Sequence, residues 1–142
     1  MQSQVSTLRT QVEFKSDLFP AYPGEEEEIN PGLWGKRLAE YLKSKLDAAG
    51  IQTDGIVTED WGCMVGVKNE RFPLAVGCGH QDGENDEFLC FIEPSKPVIR
   101  KWFKKIDTTQ EVRRLSEALQ AILASDPDIR DVRWESEDHS EA

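Results

Sequence analysis

The fold is decided by residues 73–93, which read PLAVGCG at 73–79, HQDGEND at 80–86 and EFLCFIE at 87–93. Both apolar segments alternate with a period of two, which is typical of β-strands. The polar loop between them is short enough to favour an antiparallel pair. Small residues on one face of the first segment would let another part of the chain, most simply a helix, approach closely. The second segment is apolar on both faces, which predicts a central strand covered on both sides.

The same alternation extends in both directions from this stretch. Two further strands are predicted at 51–58 and 61–68, joined by a short acidic turn. Outside them, the patterns at 5–15 and 129–134 favour strands with one exposed face.

Three helices are predicted around these strands. The first begins at Asn30, whose side chain can cap a helix and which precedes a proline, and it ends at Gly50. The second covers 96–105 and its flanks, with apolar residues on one side and four cations on the other. The third begins at Thr108, which has capping-box spacing to Glu111. The prediction is a single α+β domain at 1–134 with a mostly antiparallel sheet covered by helices, in the order β-α-β-β-β-β-α-α-β, and an acidic, disordered tail at 135–142.

The composition restricts the function classes. The 142 residues include 27 acidic and 17 basic side chains, for a net charge of −10, which argues against a general nucleic-acid binder. No apolar run is long enough to span a bilayer and residues 1–14 do not resemble a signal peptide, so we expect a cytoplasmic protein with no membrane or nucleic-acid partner. The three cysteines lie in apolar runs and are interpreted as reduced core residues.

The sequence resembles a family of small uncharacterised bacterial proteins. The motifs that carry the resemblance are EINPGLWGK at 28–36, EDWG at 59–62 and GCG at 77–79. The resemblance covers roughly residues 12 to 134. It implies a bacterial, stand-alone domain, and it carries no information about activity, cofactor or catalytic residues.

The densest polar group lies at the end of a predicted strand and includes Cys78, His80 and Asp82. Alternate residues on a strand project to the same side, so a thiol, an imidazole and a carboxylate there have the residue types of a nucleophilic cysteine site, with Glu93 as a further candidate. The favoured interpretation is a core thiol, a histidine at the rim and a simple turn. No cofactor or metal site is predicted, because Cys63, Cys78, His80 and Cys90 lack the close ligand pairs of zinc sites.

Two other segments have features of binding surfaces. Glu59, Asp60 and Trp61 could present an aromatic anchor or a pair of carboxylates to a partner, although a hairpin with exposed acids and a packed Trp is favoured. The basic helix at 96–105 could contact nucleic acid or an anionic surface, but its apolar spacing favours packing on its own sheet, with its cations in solvent or paired with neighbouring acids.

Two hypotheses for function follow. The preferred one is a non-catalytic protein-interaction module whose acidic surface, at 25–28, 59–60 and 82–87, binds a basic protein partner. The alternative is a small enzyme or ligand-binding protein with a site around Cys78, His80, Asp82 and Glu93. The oligomeric state cannot be deduced from the sequence.

Overall fold

The computed structural model describes residues 8–81 and 83–136. In chain order the elements are β1 (Arg9–Ser16), α1 (Glu25–Glu28), α2 (Lys36–Ala48), β2 (Thr53–Glu59), β3 (Gly62–Val67), β4 (Leu74–His80), β5 (Glu87–Glu93), β6 (Val98–Lys101), β7 (Lys104–Asp107), α3 (Thr109–Ser125) and β8 (Ile129–Ser136). Six strands form one antiparallel sheet in the order β2-β3-β4-β5-β1-β8, and β6 and β7 form a separate hairpin. This confirms the predicted α+β fold with a mostly antiparallel sheet.

Helices α2 and α3 pack on one face of the sheet. That face carries the buried side chains of alternate strand residues, among them Val12, Phe14, Val65, Val76 and Phe88. The apolar side of α2 is fully buried at Leu38, Leu42 and Leu46, and each such side chain contributes about 1.5–3 kcal/mol relative to an exposed one. The core is therefore a single layer between the sheet and two helices.

On the outer face of the sheet, the expectation that a helix packs against the small residues of β4 is wrong. Helices α2 and α3 lie on the inner face, and the small residues of β4 meet other groups. A Cβ atom on Gly77 would overlap the ring of Phe91, and one on Gly79 would lie 2.8 Å from the carbonyl oxygen of Trp34. The ring of Trp61 lies 5.2 Å from that of Phe91 and shields it in part. Aromatic rings and a loop backbone occupy the space assigned to a helix.

The first long helix begins later than predicted, at Lys36 instead of Asn30. The amide of Leu33 donates to the carbonyl of Asn30, and Gly32 has φ +81°. Pro31 followed by a glycine with positive φ is the signature of a type II turn, so these residues close a turn and do not open a helix. The predicted end at Gly50 is confirmed, since this residue follows the last turn with φ +87°.

The predicted helix at 96–105 is wrong, because this segment forms the β6–β7 hairpin. Ile99 pairs with Ile106 across the hairpin, and both pack against the core. Trp102 and Phe103, assigned to the buried side of a helix, form the exposed turn. The helical face of the sheet is already occupied by α2 and α3, and β-branched residues at 98, 99 and 106 favour strands.

The last helix forms as predicted but without the capping box. The Thr108 hydroxyl donates to the carbonyl of Lys96, and the Glu111 carboxylate pairs with Arg71 at 2.7 Å. Neither side chain therefore caps the first turn of α3.

Within the described ranges, no helix is both long and apolar enough to cross a membrane. The predicted tail at 135–142 begins inside β8, and residues 137–142 lie outside the described part of the chain.

Candidate functional site

The three thiols lie in one row across the middle of the sheet. Cys63 is the register partner of Cys78 on β3–β4, and Cys78 is the partner of Cys90 on β4–β5. All three are free and buried on the inner face. Burial raises the pKa of each thiol, and that of Cys78 well above the usual value for cysteine. A nucleophilic cysteine must ionise, so this environment opposes the chemistry that the sequence raised for Cys78.

His80 is held in place by four contacts at the end of β4. Its ring stacks on the indole of Trp34, with centroids 3.8 Å apart and planes 2° from parallel. Ring nitrogen Nδ1 lies 2.7 Å from the carbonyl oxygen of Gly32, and Nε2 lies 2.8 Å from that of Glu84. Its backbone amide donates to the carbonyl of Trp34. Both nitrogens thus face acceptors within the protein, and the imidazole connects two loops that are far apart in sequence.

The other two residues of the hypothetical catalytic group do not join this arrangement. Asp82 lies outside the described residues. Glu93 is exposed, whereas Phe88 on the same strand is the register partner of His80. Five residues of strand separate Glu93 from Phe88, a distance of about 17 Å. His80 and Glu93 therefore lie at opposite ends of the sheet.

The tight turn between β2 and β3 presents its carboxylates and partly hides its tryptophan. Glu59 and Asp60 are exposed, and Trp61 is half-buried against Phe91. The side-chain amide of Asn30 donates to the carbonyl of Asp60 at 2.6 Å, which joins this turn to the 30–33 turn. The predicted hairpin with exposed acids and a packed Trp is what forms here.

Glu25 has a structural role that the sequence did not reveal. It is 4% exposed, and Oε2 accepts hydrogen bonds of 2.8 Å from the amides of Gly35 and Lys36, at the start of α2. Oε1 accepts from the amide of Tyr22. The carboxylate thus satisfies free amides at the start of a helix, where negative charge is stabilised. The cap comes from ten residues upstream, and no local capping signal predicts it.

We call the end of the sheet that holds His80 the acidic end, and define it as residues 17–34, 59–61 and 83–86. It contains nine acidic and no basic side chains. Within the described chain, Asp17 and Asp86 both pair with Arg130 of β8. The acids that are exposed and have no hydrogen bond or ion pair to another described side chain are Glu27, Glu28, Glu59, Asp60 and Glu84.

A cleft of about 250 Å³ lies at the opposite end, where α3 meets the β3–β4 loop. Its polar lining includes Asn69, Glu111 and Arg114. Oε1 of Glu111 is shielded from solvent and makes no hydrogen bond within the described part of the chain, while Oε2 binds Arg71. The lining contains no cysteine or histidine, and the sequence pattern did not single it out. No group of three His, Cys, Asp or Glu side chains among the described residues is arranged to hold a metal ion.

Comparison with known proteins gives no match to a family model, to a curated protein or to a solved structure. The resemblance noted from the 28–36, 59–62 and 77–79 motifs stays a prediction.

Proposed function

We propose that the protein is a non-catalytic interaction module that binds a basic protein partner through its acidic end. The observation that carries the proposal is that carboxylates from three separate segments of the chain lie together at one end of the sheet. Complementary charge of this kind accelerates association and selects the partner more than it sets affinity.

The acidic end is preorganised, which lowers the conformational cost of binding. The imidazole of His80 contacts the carbonyls of Gly32 and Glu84, and Asn30 holds the turn at Asp60. These contacts fix the backbone of all three segments relative to one another. The exposed acids are therefore carried on a constrained surface.

The alternative, an enzyme or ligand site around Cys78, His80, Asp82 and Glu93, has less support. The thiol of Cys78 is in the core with its pKa raised by burial, and His80 is only 2% exposed. Glu93 lies at the other end of β5. No contact among the described residues favours this alternative over the interaction module.

The test begins with affinity capture from a bacterial lysate at low salt, followed by identification of the captured protein and its purification. Binding of the purified pair is then measured for the wild type and for a variant with Glu27→Gln, Glu28→Gln, Glu59→Gln and Asp60→Asn. We expect affinity to fall at least about tenfold in the variant and to fall as salt is raised, because exposed charges are screened over about 8–10 Å.

The matched control neutralises two exposed acids elsewhere, Glu70→Gln and Glu117→Gln, and should leave affinity unchanged. The proposal is refuted if no basic protein is captured at low salt, or if the captured pair binds equally tightly with the acid-neutralised variant.

A further inference from the structure

The β6–β7 hairpin carries the two most exposed large apolar side chains among the described residues. Trp102 is 87% exposed and Phe103 is 99% exposed, and together they form the two-residue turn between the strands. The next most exposed large apolar side chain, Val57, is 58% exposed. Exposed aromatic rings side by side are unusual on a surface that has no binding role.

Behind this turn lie four cations in two opposed pairs. Lys101 faces Lys104, and Arg100 faces Lys105, in the register of the hairpin. Like charges directly opposite on paired strands destabilise a hairpin. All four are exposed, and none has an ion pair or a hydrogen bond to another side chain within residues 8–81 and 83–136. The isolated protein thus leaves this repulsion uncompensated.

The turn is also strained at its first residue. Trp102 has φ +61°, in the left-handed region that bulky side chains rarely occupy. Residues in such conformations cluster at functional sites. Exposed rings, opposed cations and a strained backbone therefore coincide in six consecutive residues.

We propose that the tip of this hairpin binds the interface of an anionic lipid bilayer. The rings are outermost and the cations lie one and two residues behind them, which matches the order of layers that a membrane presents, with acyl chains inside and charged headgroups outside. Tryptophan is enriched at this interface, and lysine and arginine keep their charges in the headgroup layer. Each cation near an anionic surface adds about fivefold to the affinity.

This site is separate from the acidic end and independent of the function proposed for it. The hairpin leads from the Glu93 end of β5 to the start of α3, and the acidic end lies across the sheet from that point. The inference also departs from the expectation of no membrane partner. That expectation placed Trp102 and Phe103 on the buried side of a helix.

Lipid is favoured over single-stranded nucleic acid by the arrangement of the cations. A strand of nucleic acid requires a groove of cations alongside a row of stacking rings. Here two rings project beyond the cations at a tip, and among the described residues no further exposed aromatic ring extends them into a row.

The test uses the full chain and vesicles of phosphatidylcholine alone or mixed in equal parts with phosphatidylglycerol. Co-sedimentation should detect binding to the mixed vesicles at low salt and little to the neutral ones. Trp102→Ala with Phe103→Ala should weaken binding at least about tenfold, as should Lys101→Gln with Lys104→Gln. The control Lys68→Gln, which removes an exposed cation outside the hairpin, should bind like the wild type.

Insertion is distinguished from simple adsorption by vesicles that contain brominated phosphatidylglycerol, which quenches tryptophan within the bilayer. Quenching should be strong for the wild type and should be lost in Trp102→Phe, although that variant still sediments with the vesicles. Urea unfolding should show no variant less stable than the wild type, because the substituted side chains are exposed.

Three results would overturn the inference. One is no binding to the mixed vesicles at low salt, and another is binding that the alanine pair leaves unchanged. The third is tighter binding to a thymidine oligonucleotide that depends on the same rings, which would assign the hairpin to nucleic acid instead.

Discussion

Replacing Glu25 with alanine should destabilise the protein by about 2–4 kcal/mol, although this residue belongs to a run of four glutamates that looks like a solvated segment. Its carboxylate accepts from the amides of Tyr22, Gly35 and Lys36. Loss of a helix cap costs about 1–2 kcal/mol, and hydrogen bonds to a charged group contribute about 1.5–3 kcal/mol each. Water can reach part of the space that the side chain vacates, so the expected loss of stability is smaller than the sum of these contributions.

A smaller loss, about 1–2 kcal/mol, is expected for Glu25→Gln. Glutamine keeps the volume but replaces one acceptor oxygen with an NH₂ group, which would face an amide donor. The matched control is Glu27→Ala in the same run. Glu27 is exposed, and its loss should change stability by less than about 0.5 kcal/mol.

The assay is urea unfolding followed by far-ultraviolet circular dichroism, with the free energy extrapolated to water. The slope with denaturant should not change between variants, which shows that the unfolded states are comparable. If Glu25→Ala unfolds within about 0.5 kcal/mol of the wild type, the carboxylate does not act as the cap of α2.

Three further predictions follow from the core and from the contact between α2 and the end of α3. Gly77→Ala should lower the free energy of unfolding in urea by about 1–3 kcal/mol, because the new methyl group overlaps the ring of Phe91. Adding Phe91→Leu to that variant should recover part of the loss, and an unchanged stability of Gly77→Ala would contradict this packing. The three thiols should react slowly with a disulfide reagent in the native protein and rapidly in urea, since burial raises their pKa values, and rapid native reaction would refute this. The hydroxyl of Tyr41 donates to Asp126 and lowers its pKa, so this contribution to stability is complete above about pH 4 and is lost as the pH falls through the folded pKa. Asp126→Asn should flatten that acid limb of the stability curve, and an unchanged limb would exclude the contribution.

The sheet was predictable from sequence because its signal is local and repeated. Residues 73–93 alternate apolar and polar positions on both sides of a short loop, and each strand then restricts its neighbours to an antiparallel partner. The central position of β5 was predictable from its two apolar faces, but the order of the strands around it was not. The sequence did not show what packs against the small residues of β4, because an aromatic ring such as Phe91 and a helix both require small residues opposite them.

The errors have a common physical origin in signals that several structures share. Asn30-Pro31 suits a helix start and a type II turn equally, and the glycine at position 32 is what favours the turn. The residues at 98–107 have apolar positions at helical spacing. They form a hairpin instead, with Ile99 paired to Ile106, because α2 and α3 already occupy the face of the sheet on which another helix would pack. The role of Glu25 depends on a contact with residues ten positions later, which no local pattern contains.

The candidate site illustrates the same limit for function. Sequence placed Cys78 and His80 on one side of a strand, which is correct, because both face inward on β4. The sequence pattern did not show what surrounds these two side chains. Trp34 covers the imidazole of His80, and the row of cysteines lies beneath α2 and α3. A pattern of reactive residue types on a strand does not by itself say whether solvent or substrate can reach them.

Topology also changes what the net charge means. The acidic segments lie in connections that open at one end of the sheet, and the cationic segment lies in the connection from β5 to α3 at the other end. A strand of seven residues spans about 23 Å, which exceeds the screening length of about 8 Å at physiological salt. A surface that approaches the hairpin therefore responds to the local cations and hardly to the distant carboxylates. The total of −10 thus excludes an anionic partner only for a protein whose charges are evenly mixed, and in this fold the acidic end and the cationic hairpin tip lie at opposite ends of the sheet.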